Sequence, residues 1–159
     1  MNWQLLRAVA EAEDNAGVEI HSVYTSVTGG HIRSFNNRGS VVVTNEEREI
    51  SAEEVHNVLL NAKAVNIPMD HVVIHAIRQR FYLDGQDGIQ DPVGMCGTML
   101  EADVHVMYGV RTRLQNTIRC IKQVPLDIEN IAVSSLASAL AVYSGVSNET
   151  ATWDCAARL

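Results

Sequence analysis

Six histidines, three cysteines and an aspartate-rich loop are the parts of this 159-residue chain that could do chemistry. His71 and His75 stand four apart, a spacing that on one helical face would let two imidazoles share a metal ion. The segment His71-Val72-Val73-Ile74-His75 reads instead as a strand, where residues four apart are ~13 Å from each other, too far to chelate one ion together. His75, flanked at two residues by Val73 and Ile77, is expected to be a partly buried histidine satisfied by hydrogen bonds. No metal is expected. Asp84, Asp87 and Asp91 could attract calcium, but they lack the alternating spacing and closing glutamate of an EF-hand loop. Beside glycines they read as turn formers. Thr28-Gly29-Gly30-His31 and Asp84-Gly85-Gln86-Asp87-Gly88 offer flexible backbone to a phosphate, yet neither has the P-loop lysine nor opens a helix with GxGxxG. The nucleophile candidates are Cys96, between Met95 and Gly97, and Ser134 and Ser135; no adjacent residue supplies an activating base. The expectation is therefore no catalytic residue and no cofactor, the alternatives being an enzyme that uses Cys96 or a histidine cluster assembled by the fold, or a structural fragment with no partner.

The elements that would position these residues follow from periodicity. Leu5, Leu6, Val9 and Ala16 share a helical face over about 2–16, stopped by Gly17. Strands are expected near 19–27 and 31–35, with Asn36-Asn37-Arg38-Gly39 as a hairpin turn into Val41-Val42-Val43-Thr44. Ser51-Ala52-Glu53-Glu54 fits a capping box, and Val55, Val58, Leu59, Ala62 and Val65 continue a helix over 51–65. A long strand is expected at 71–83, then a loop from Asp84 to Gly97 too dense in glycine and proline for a regular element. Alternation from Leu100 to Tyr108 predicts a strand with one buried face, and Leu114, Ile118, Ile121 and Val124 a helix ended by Pro125. A short strand at 128–133, a small-residue helix at 135–143 and an irregular tail beyond Gly145 complete the reading. The order α-β-β-β-α-β-β-α-β-α is that of an α+β fold: a small antiparallel sheet packed by helices.

Composition narrows the partners. With 47% hydrophobic, 19% charged and only 5% aromatic residues, the chain is a globular domain with an aliphatic core. A net charge of −7 argues against a nucleic-acid partner, since phosphate binding needs clustered cations. Cys96, Cys120 and Cys155 show no CxxC pair and no disulfide framework, which points to a reducing, cytoplasmic compartment. The first residues lack the pattern of a signal peptide, and no apolar run approaches the ~20 residues of a membrane span.

The stretch Tyr82 to Gly109 carries an ordered set of motifs: Asp84-Gly85-Gln86-Asp87-Gly88-Ile89, then Asp91-Pro92-Val93-Gly94-Met95 and Gly97, then Leu100-Glu101 and Val104-His105. It resembles the central subdomain of the bacterial cell-division protein FtsA family. Ser22-Val23-Tyr24, Gly30-His31-Ile32, Ser34 to Gly39, Val65 to His75 and Leu136-Ala137-Ser138 extend the similarity over about 5–143. Arg78 and Arg80 stand where that family usually has Pro and Glu, so a contact made there would differ.

The resemblance implies a strand-helix-strand-strand interaction subdomain at 30–108, flanked by pieces of an actin-like scaffold at 1–29 and 109–159. It implies action in septal-ring assembly through self-association or recruitment of divisome proteins, with a homodimer as one form. Arg78, Arg80 and Asp84 are the expected partner-binding residues. ATP belongs to the full-length family, whose phosphate loops would fall before Met1 and soon after Tyr143, so none is expected here. Neither a membrane anchor nor a nucleic-acid partner is expected of the chain as it stands.

Overall fold

A computed structural model describes residues 3–45 and 47–143. The chain runs α1 (Trp3–Ala16), β1 (Ser22–Val27), β2 (Ile32–Val42), α2 (Ala52–Lys63), β3 (His71–Leu83), β4 (Gln86–Ile89), β5 (Met99–Val110), α3 (Arg111–Ile121), β6 (Asp127–Val133) and α4 (Ser134–Tyr143). The fold is α+β. Four strands form a sheet in the order β2-β5-β3-β4, every neighbouring pair antiparallel. A separate parallel pair joins β1 to β6. The tail expected beyond Gly145 lies outside the described residues.

The expected hairpin at Asn36 to Gly39 is corrected: these residues lie inside the single strand β2, paired without a break from Ile32 to Val42 against β5. Gly39 serves close approach rather than a turn. A Cβ there would lie 2.4 Å from the Ala62 nitrogen and 2.6 Å from the Val58 oxygen, both backbone atoms of α2. Asn37 Nδ2 donates to the Ala62 carbonyl at 2.9 Å, and Asn61 Nδ2 donates to Ser40 O at 3.1 Å, so the polar residues that suggested a turn tie strand to helix.

The second correction concerns the loop after β3, which contains the short strand β4. Asp84 and Gly85 both have positive φ, 49° and 83°, and link Leu83 to its partner Gln86 as a two-residue hairpin turn. The remainder of the loop has no regular element but is pinned by backbone bonds. Ile50 N donates to Met95 O, Gly94 N to Ile50 O, Gly97 N to Arg48 O and Val43 N to Thr98 O. Pro92 is fully buried within it.

Helix α2 begins as its sequence demands: the Ser51 side chain accepts from Glu53 N, and the Glu54 carboxylate accepts from Ser51 N at 3.0 Å. Its apolar face lies on one side of the sheet. Val58 packs with Phe81, Leu83, Leu100 and Ala102, while Ala62 packs with Val104 and Val106. On the opposite side, a second cluster of Val27, Ile74, Leu114 and Val133 joins the sheet to β1, β6 and α3. One side-chain hydrogen bond reinforces that junction, from Val133 N to His75 Nε2 at 3.2 Å.

Candidate interaction surface

Strand β3 contains two bulges, at Ile74 and at Gln79. The second decides where the arginines point. In a regular strand Arg78 and Arg80 would share a face. Here Arg78 pairs with Val104 on the α2 side, and Arg80 pairs with Asp103 on the other. The two expected partner-binding cations are therefore separated by the thickness of the sheet. Arg78 is half-buried, its guanidinium 5.2 Å from the centre of the Phe81 ring. Arg80 is exposed.

Around Arg80 the sheet face away from α2 carries an ordered polar cluster. Arg38 reaches the Asp103 carboxylate through two hydrogen bonds of 2.7 and 2.9 Å, and Tyr82 Oη donates to the same carboxylate at 2.9 Å. The Arg38 guanidinium also stacks 4.1 Å from the Tyr82 ring centre. The Arg38 bonds hold the Asp103 carboxyl below the usual carboxylate range, opposed by partial burial and helped by Tyr82 and the charge of Arg80. The same pairing raises the already high pKa of Arg38. One step along the ladder, His105 Nδ1 meets Asn36 Oδ1 at 2.5 Å. The sequence signal for this cluster was the polar set of every second residue in β5, Glu101, Asp103 and His105, but its partner Arg38 was assigned to a turn.

Asp84 sits at the rim of the sheet with its carboxylate already engaged. Its Oδ1 accepts from Thr98 N at 3.1 Å and from Met99 N at 2.9 Å. Asp91 Oδ1 likewise accepts from Val93 N. Local turn bonding accounts for the Asp91 carboxylate, whereas that of Asp84 ties the β3–β4 turn to the start of β5, 14 and 15 residues on. Cys96 is exposed, and Ser134 Oγ donates to the Val27 carbonyl. Among the described residues no three His, Cys, Asp or Glu side chains are grouped to hold a metal ion, and no helix is long and apolar enough to cross a membrane. His71 Nδ1 lies 2.7 Å from Asp70 Oδ1, and its ring packs on Tyr108.

His75 departs from expectation by half. It is buried, and Nε2 takes the Val133 amide, but Nδ1 has no hydrogen-bond partner among the described residues. Burial pushes its pKa below the ordinary 6.5, favouring the neutral ring that can accept from Val133.

The sheet, its helix and the pinned loop coincide with a known domain. Residues 29–108 match the family described as the SHS2 domain inserted in FtsA. The chain belongs to the FtsA family. Over 138 residues, 87% of the chain, it is 39% identical to cell division protein FtsA of Pseudomonas aeruginosa, 34% to that of Escherichia coli K12 and 31% to that of Bacillus subtilis 168. The aligned part is 33%, 32% and 31% of those relatives, so the chain spans about a third of their length. The ordered motif from Asp84 to Gly97 falls inside the matched SHS2 domain, where its backbone bonds pin the rim of the sheet.

Proposed function

We propose that the chain is a non-catalytic protein-interaction module of the cytoplasmic cell-division machinery, acting by recruiting divisome proteins or by self-association. The observation that carries this reading is the combination of an SHS2 domain with a sheet face that leaves Arg80 exposed beside a fixed Arg38–Asp103–Tyr82 cluster. Such a face suits partner recognition because its cluster is held in place before a partner arrives, so little side-chain entropy is lost on contact. Arg80 is the primary contact in this reading. Arg78, on the opposite face, and Asp84, at the rim with its carboxylate bonded internally, contribute to binding more through the shape of the sheet edge than through free charge.

The chain's own residues support no nucleotide chemistry in this reading, and ATP is not among its ligands. The exposed, free Cys96 and Cys120 suit a reducing compartment. A bacterial two-hybrid panel against the division proteins of the host is expected to give at least one interaction, and calorimetric titration with magnesium ATP no heat. Silence across the whole panel, or tight ATP binding, would overturn the reading.

A further inference from the structure

Strand β2 forms one edge of the four-stranded sheet and is paired only with β5. The strand, β5 and α2 all lie within the matched residues 29–108. Pairing runs unbroken from Ile32 to Val42, with no proline and no bulge, so the outer edge is long and regular. One bond fixes its phase. Val43 N donates to Thr98 O at 2.9 Å in continuation of the ladder, so Val41, Gly39, Asn37, Phe35 and Arg33 turn their backbone groups toward β5. The residues between them, Ser34, Asn36, Arg38 and Ser40, turn theirs outward. The ends of that outer row are occupied: Ile32 N donates to Gly29 O at 3.0 Å, and Ser40 O accepts from Asn61 Nδ2. Between them the outward N–H and C=O groups of Ser34, Asn36 and Arg38 bond to nothing among the described residues, and all three residues are exposed. Donors and acceptors alternating along one line are what a strand offers to another strand.

Charge selects the occupant. Strand β2 contains Arg33 and Arg38 and no acid. Arg38 is committed to Asp103, whereas Arg33 is exposed and has no ion pair among the described residues. A second copy of β2 would add another Arg33 and no acid to answer it, while a strand from a different protein can place a carboxylate opposite. We propose that an extended acidic segment of a partner protein adds to β2 as a further strand of the sheet, its backbone bonding Ser34, Asn36 and Arg38 and its carboxylate facing Arg33. This rests on the recruitment reading above and gives the partner a shape, but it uses the edge of the sheet rather than Arg80.

Peptides of about 15 residues, tiled over the cytoplasmic segments of the host's division proteins, supply the probes, and amide hydrogen exchange followed by NMR reads the edge. In the free chain the amides of Ser34, Asn36 and Arg38 should exchange fast and those of Phe35 and Asn37 slowly. An acidic peptide that binds should slow the first set and leave the second as it was. Ser34→Pro removes an outward donor without touching the β5 ladder and should weaken that peptide at least about tenfold, as should Arg33→Glu; Ser34→Ala, which keeps the amide, should change it by less than about twofold. Should Ser34→Pro fail to fold, the alternating protection in the unsubstituted chain decides. The proposal is overturned if no peptide protects the three edge amides, if binding ignores Ser34→Pro, or if the amides are already protected in a peptide-free dimer. Partner binding that still depends on Arg80 in those cases would keep the recruitment reading and remove only the edge.

Discussion

His75 is a single buried imidazole at the seam between the four-stranded sheet and β6, and its protonation state decides whether the seam keeps its hydrogen bond. The neutral ring accepts from Val133 N; a protonated ring has two donors and no acceptor. Its folded pKa is lowered by burial from 6.5, so the stability it supports is fully present above about pH 6.5 and is lost as pH falls through the folded value. The melting temperature should therefore drop between about pH 7 and about pH 5, and His75→Gln, which keeps an acceptor without a titrating ring, should flatten that slope. An equal slope in wild type and variant would remove His75 from the account. Asp103 acts in the same sense at lower pH: its carboxyl is held down chiefly by Arg38, so the pairing weakens only as pH falls below the ordinary carboxylate value of 3.8.

At the scale of elements, the seating of α2 on β2 depends on one missing side chain. Gly39→Ala would place a methyl against the backbone of Val58 and Ala62, atoms that cannot swing aside as the tip of a side chain can. Overpacking of this kind costs about 3 kcal/mol. For a domain of this size that lowers the melting temperature by about 6–12 °C, measurable by calorimetry. An unchanged melting temperature would show that α2 is not seated as described.

The same glycine shows what could and could not be read from the sequence. Asn-Asn-Arg-Gly is turn chemistry when judged locally, and only contacts with helix α2, 21 and 25 residues away along the chain, explain why those residues stand in a strand. Asp84-Gly85 was the reverse case, a two-residue turn hidden among so many breakers that β4 could not be separated from the loop. The capping box of α2 and the alternation of β5 were legible because each is a local pattern that tertiary contacts reinforce. The bulge at Gln79 has no such local signature, and with it the opposite facing of Arg78 and Arg80 was out of reach of the sequence.

In the whole molecule, an SHS2 sheet with its own helix-covered core is joined through an apolar cluster and the His75 bond to β6, α3 and the parallel β1–β6 pair. Motifs that first suggested chemistry, the aspartates and glycines of 84–97, hold the rim of that sheet together, and the contact surface proposed above is its open face. The most direct test is the affinity of the chain for the cytoplasmic segments of the host's division proteins, measured by surface plasmon resonance for wild type, Arg80→Glu and Arg78→Glu. Arg80→Glu should weaken binding by at least about tenfold with the melting temperature unchanged, and Arg78→Glu should do so far less. Binding that ignores Arg80→Glu, or that fails equally with both variants, would contradict an interaction surface on the open face of the sheet.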